Sequence, residues 1–156
     1  MKVAAFTLAL LAAASPIAAQ AAPRVTTTLS AADLTALEGV RKSVWVDWFS
    51  GDTAALSRTL GPELVAISAT APHWMSRRQS VAASADFKAK GGRFVSVAFD
   101  SAMTHRFGDV VVMFSHYAVV TENAGIRKTQ KGRATEVFVR ANLRWVHTSW
   151  HLDSGT

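Results

Sequence analysis

GRATEVFVRANLRWVHTSWHLD, Gly132 to Asp153, is the stretch that decides how this chain must fold. It alternates branched or aromatic residues with polar ones, breaks once at Ala141-Asn142-Leu143, and resumes from Trp145 to Leu152, the pattern of two neighbouring antiparallel strands. A run so rich in Thr, Val, Phe and Trp suits a pleated surface buried on at least one face. Glu136, Arg140, His147 and His151 add ionisable groups to that surface, and such groups need partners or a cavity. The hairpin therefore locates a candidate site, although its residues name no reaction.

Working outward, Lys128 to Arg140, Val110 to Glu122 and Arg93 to Arg106 read as long alternating strands. Asn123-Ala124-Gly125 and Phe107-Gly108-Asp109 separate them as turns. Upstream, Leu64 to Ser68 is a short apolar strand, and Ala71 to Met75 is a loop carrying His73, Trp74 and Met75. Ser76 opens a helix to about Lys90, with Val81, Ala82, Ala85 and Phe87 as its apolar stripe, ended by Gly91-Gly92. The first helix starts after Ser30, whose hydroxyl and Asp33 resemble a capping box, and runs with Leu34, Leu37, Val40 or Arg41, Val44, Trp45 and Trp48 on one face. Gly51 ends it, and Asp52 caps a second short helix that stops at Gly61-Pro62.

The order ααβαββββ, with consecutive antiparallel strands, argues an α+β domain whose sheet packs against helices on one side. Strands this long twist, and a twisted sheet curls around the helix laid across it. The expected pocket lies between the inner face of the first helix, the Trp74 loop and the concave side of the sheet.

At the N-terminus, Lys2 precedes an apolar run from Val3 to Ala14, then Ser15-Pro16 and the small-x-small site Ala19-Gln20-Ala21. This reads as a secretory signal peptide, 1–21, and an exported, periplasmic or secreted protein. The run is shorter than the roughly 20 residues that a membrane span needs. Residues 22–29 read as a disordered leader and 30–156 as one domain. The absence of Cys excludes thiol catalysis and zinc–thiolate sites. The formal charge of +6 loses only Lys2 with the signal peptide. Its densest part, Arg127, Lys128, Lys131 and Arg133, reads as a solvated hairpin tip. Nucleic acid is not expected as a partner, because no recognition helix or aromatic-basic motif occurs, and membrane contact is not expected either.

WVDWFSGD at the end of the first helix, the strand-loop after ELVAIS, and the ending TEVFVRANLRWVHTSWHLD resemble the SnoaL-like, nuclear transport factor 2-like superfamily, specifically its exported domains of unknown function. The resemblance covers Ser30 to Asp153. It implies a cone-shaped curved antiparallel β-sheet wrapped around N-terminal helices, commonly paired as a homodimer through the outer sheet face. It also implies a scaffold shared by isomerases, cyclases, dehydratases and adaptors, so the fold alone assigns no activity. Where relatives tend to carry an Asp-Gly turn, this chain has Asn142-Leu143.

The candidate catalytic groups are Glu136, His116 and His151. In isomerase-like relatives the corresponding carboxyl points into the cone, where an apolar setting raises its pKa. If Glu136 faces inward, Phe138 and Arg140 share its face, and Arg140 becomes the expected ion-pair partner. Trp45, Trp48, Trp74, Tyr117, Phe138 and Arg140 are the candidate ligand-binding residues, Trp74 as a lid or subunit contact. His147 and His151 are expected on one face with Trp145, about 13 Å apart and too far to share an ion. His116, His151 and Asp100 are a conceivable cross-strand trio, but no metal and no cofactor is expected. Three readings compete. They are an exported binder of a small, largely apolar molecule, a cofactor-independent isomerase, cyclase or dehydratase using a carboxyl and His pair, and a dimeric structural module with a filled cone.

Overall fold

The computed structural model describes residues 25–26 and 28–155, so the expected signal peptide and most of the leader lie outside the described residues. Within the expected leader, Val25–Thr26 form a two-residue strand, β1, paired antiparallel with Phe107 and Arg106. Helix α1 spans Ala31–Ser50, α2 Thr53–Thr59 and α3 Arg77–Ala89, and the main strands are β2 Leu60–Ile67, β4 Arg93–Phe107, β5 Val110–Asn123, β6 Ile126–Ala141 and β7 Arg144–Asp153, with a short β3 at Met75–Ser76. The caps are those the sequence indicates. Ser30 accepts from the Asp33 amide, Asp52 from the Ala55 amide, and Gly51 ends α1 in the left-handed conformation with φ 71°. Ser76 and Gln79 form a reciprocal capping box at α3.

The strands make one curved, unclosed mixed sheet in the order β1-β4-β5-β6-β7-β2-β3. β4 to β7 are consecutive and antiparallel, as expected. β2, however, runs parallel to β7 and starts at Leu60, so Gly61-Pro62 lie inside a strand instead of ending a helix. The ladder accommodates them because its register shifts between Leu60 and Val65. The sheet and helices together form the α+β cone.

Three packed clusters fill the concave side. Leu37 meets Val111, Met113, Phe138 and Trp145. Trp45 meets Tyr117, Val119 and Ala134. Val44 meets Leu56, Leu60, Leu64, Ala66 and Trp150. The face of α3 differs from the expected one. Ala82 and Ala85 are exposed, whereas Ser80 and Ser84 are fully buried. Ser80 accepts from the Trp48 indole at 3.1 Å and Ser84 donates to the Trp48 carbonyl at 2.6 Å, so two small hydroxyls dock α3 on α1 and hold the Trp48 ring.

The β6–β7 turn has φ 49° at Asn142 and φ 64° at Leu143. Both central residues therefore occupy the left-handed region of a tight hairpin, which Asn tolerates and Leu does not. Gly132, by contrast, is required by space, because a Cβ there would stand 1.8 Å from the Asp153 carbonyl oxygen.

Candidate functional site

Alternation along β6 places Glu136, Phe138 and Arg140 on the concave face, and Glu136 is completely buried. Its partner is not Arg140. Arg41, one turn before Trp45 on the inner face of α1, brings its Nε to 2.5 Å from Glu136 Oε2, while the Trp45 indole donates to Oε1 at 3.0 Å. Arg41 also donates to the Ser115 hydroxyl, and its guanidinium lies 3.5 Å from the Phe99 ring centroid. Ser115 is the residue opposite the β4 bulge, where Ser101 and Ala102 face a single residue between the pairs Asp100–His116 and Met103–Phe114. Burial pushes the Glu136 carboxyl up, and Arg41 and Trp45 oppose that shift. Burial likewise lowers the Arg41 guanidinium, with Glu136 opposing. The outcome is a buried ion pair whose hydrogen bonds are supplied by α1 and β5.

Arg140 turns instead to Asp33 at the start of α1, at 3.2 Å, because the end of β6 lies against the N-terminal turn of that helix. Arg106 reaches the same carboxylate at 3.4 Å.

His147 sits beside this pair, completely buried, with Nε2 3.7 Å from Glu136 Oε1. Its ring stacks on Phe138 at 4.5 Å and 16° and lies 5.4 Å from the Trp150 ring. Neither ring nitrogen is accessible, and neither has a side-chain hydrogen bond among the described residues. Burial lowers its pKa to about 3, the Arg41 charge adds to the effect, and the nearby Ser149 backbone opposes it. At neutral pH His147 is an uncharged imidazole, with Nε2 turned towards Glu136 and the Ser149 backbone beside the ring.

Beside the histidine lies a cavity of about 120 Å³. Helix α1 contributes Val44, Trp45, Trp48 and Phe49, β7 contributes His147, Trp150 and Leu152, and Met75, Gln130, Ser68 and Thr70 complete the wall. Gln130 donates to the Tyr117 hydroxyl at 3.2 Å. That hydroxyl in turn faces the Asp153 carbonyl at 3.4 Å, which accounts for the only tyrosine within the fold's own bonding.

Of the residues singled out from sequence, Trp45 and Trp48 line the cavity. Tyr117, Phe138 and Arg140 do not, Tyr117 and Phe138 being packed behind the lining and Arg140 at Asp33. Trp74 is 73% exposed and only its neighbour Met75 reaches the wall, so the loop turns its large ring outward. His116 and His151 are exposed on the outer face. The expectation that His147 and His151 share a face fails because Ser149 pairs with Val137 and His147 with Phe138, leaving Thr148 as an extra residue. That bulge inverts the alternation, turning Trp150 and Leu152 inward and His151 outward. His116 Nδ1 and Asp100 lie 3.3 Å apart in solvent, and no group of three metal-ligating side chains exists among the described residues.

Arg41 and His147 are thus the residues that sequence reasoning underrated. The available signal for Arg41 was its place four residues after Leu37 and four before Trp45, the only cation on that apolar stripe.

The sequence model of the SnoaL-like domain family matches residues 43–153. The chain belongs to this family. No curated protein matches it. Among solved structures, this SnoaL-like domain is similar to an NTF2-like protein from Cytophaga hutchinsonii, with 13% identity, TM-score 0.66, and coverage of 81% of this chain and 99% of that one. An NTF2-like protein of unknown function in nutrient uptake from Rhodospirillum rubrum matches with 15% identity and TM-score 0.63 over 76% of this chain and 97% of that one. A candidate dehydratase of the NTF2-like family from Streptomyces avermitilis matches with 18% identity and TM-score 0.66 over 79% and 96%. At these identities the likeness establishes the SnoaL-like fold.

Proposed function

We propose that this SnoaL-like domain is an exported protein that holds a small, largely apolar molecule in the cavity between α1 and β7. The observation that carries the proposal is the cavity itself, walled by Trp45, Trp48, Phe49, Met75, Trp150 and Leu152. A domain with a filled cone would have no need of this space. An engineered apolar cavity of about 150 Å³ accepts benzene, so the volume suits a molecule of about one ring. Export is supported by the Lys2, apolar and Ala19-Gln20-Ala21 pattern.

Binding is favoured over proton-transfer catalysis because Glu136 does not line the cavity and is committed to Arg41 and Trp45. A general base must reach its proton directly or through one water. Pairing of two copies through the outer sheet face belongs to the same proposal, with the half-exposed Met103 and Phe107 as the apolar groups available there.

The test is native mass spectrometry of the protein purified from its own host, comparing gentle with denaturing conditions. A retained small molecule, released on denaturation, is the expected result. An empty protein whose tryptophan fluorescence ignores a panel of one-ring compounds would overturn the proposal.

A further inference from the structure

Gln130 is the one side-chain amide on the cavity wall, and the fold fixes which of its two ends is left over. β6 pairs with β5 in unbroken register from Ile126 to Val139, so Gln130 shares the concave face with Ala134 and Glu136. Its Nε2 lies 3.2 Å from the buried Tyr117 hydroxyl. That hydroxyl has a single proton, which it directs at the Asp153 carbonyl. The phenol oxygen therefore accepts, Gln130 donates, and the amide must stand with its nitrogen towards Tyr117. Its carbonyl oxygen points the other way. Oε1 accepts from no described residue and is not among the polar atoms enclosed without a partner, so it opens onto free space beside the wall it belongs to.

The other amphipathic groups nearby are committed or indifferent. The indoles of Trp45 and Trp48 are spent on Glu136 and Ser80. The hydroxyls of Ser68 and Thr70 can both donate and accept, so they favour neither kind of partner. No Asp, Glu, Lys or Arg lines the cavity, and an ion entering it would lose its hydration without meeting a counter-charge.

We infer that the cavity selects a neutral ring compound carrying a hydrogen-bond donor, a hydroxyl or an N–H, and that Gln130 Oε1 is the acceptor that reads it. The inference rests on the binding proposal above and adds the ligand's class and the residue that selects it. Tyr117 acts through Gln130 as a positioning residue, since it holds the amide by the nitrogen. A site that presents a fixed acceptor discriminates against an analogue of the same shape that has no donor.

The test is isothermal calorimetry at neutral pH on the signal-peptide-free protein, with phenol, its isostere toluene, and anisole, whose oxygen cannot donate. Gln130→Met keeps the length of the side chain and removes its polar atoms. It should weaken phenol about tenfold, the loss of one hydrogen bond made away from water, and leave toluene and anisole unchanged. Should that variant not fold, carbon-13 spectra of the native protein answer the same question, because phenol, and neither toluene nor anisole, should move the Gln130 side-chain carbonyl downfield. A variant that weakens phenol no more than toluene, a loss of anisole equal to that of phenol, or a carbonyl that ignores phenol would overturn the Gln130 assignment while leaving the binding proposal intact. Binding of none of the three probes would overturn both.

Discussion

Glu136 and His147 stand 3.7 Å apart on adjacent strands, equally buried, and the structure treats them in opposite ways. Glu136 has a partner for each oxygen, from two residues one helical turn apart on α1. His147 has rings on both sides and no side-chain hydrogen bond among the described residues. One half of the cone is thus a sealed polar core and the other an open apolar one. The comparison teaches that neighbouring buried groups are kept by different means, a carboxylate by counter-charge and donors, an imidazole by losing its charge. A paired charge holds helix to sheet, whereas a ring-packed imidazole holds β7 against Phe138 without carrying charge.

The strongest way to break this contrast is to unseal the polar half. Arg41→Met leaves Glu136 buried without its counter-charge, and a loss of about 3–5 kcal/mol in urea unfolding is expected. A loss under about 1 kcal/mol would show that the pair is not what holds α1 on the sheet.

Acid should bring out the other half. His147 has a folded pKa of about 3 against an ordinary 6.5, so the unfolded chain binds the extra proton between those values. Its contribution to stability is complete above pH 6.5 and is lost as pH falls towards 3, with a slope of at most about 1.4 kcal/mol per pH unit. Glu136, whose pKa is raised, acts with the opposite sign, favouring the folded state as pH falls below its folded pKa. Unfolding curves of the native protein and His147→Phe across this range isolate the histidine, and the variant should lose its part of the slope. Identical slopes would mean that His147 is not buried as a neutral ring.

Gly132→Ala separates the halves from the outside. The added Cβ displaces the Asp153 backbone, and with it the end of β7 that carries Leu152 into the cavity wall, without touching Arg41 or Glu136. Overpacking of this kind should cost about 1–3 kcal/mol and weaken probe binding. Unchanged binding with reduced stability would place the cavity's determinants elsewhere on its wall. The smallest effect is expected at Leu143→Gly, which relieves a left-handed Leu that is 87% exposed. A gain of about 0.5–1 kcal/mol with no change in binding would identify the turn as common support for both halves.

Much of this was legible in the residues. Capping patterns and alternation gave the helices and the four long strands, because these follow from local periodicity, whereas alternation alone left open whether Glu136 or Thr135 faces inward. Arg41 was obscured by its position on a stripe that reads as apolar, where an Arg looks like a tolerated edge residue. The outward turn of His151 depends on one extra residue at Thr148, and a bulge leaves no mark on an alternating sequence until its partner strand is known. The parallel pairing of β2 with β7 was equally hidden, since it joins segments some eighty residues apart. Ser80 and Ser84 were missed because polar residues that bond a buried indole and carbonyl look, in sequence, like a solvent face.

That parallel pairing also has a consequence for the order of events during biosynthesis. β7 is the last of the described strands in chain order, yet it lies in the interior of the sheet, between β6 and β2. A nascent chain that stops before Arg144 has neither the wall that carries His147 nor the strand that joins β2 to the rest of the sheet. Its longest-range contacts then form last, after every other element has been synthesised. Such a chain stays uncommitted until β7 has taken its place between β6 and β2.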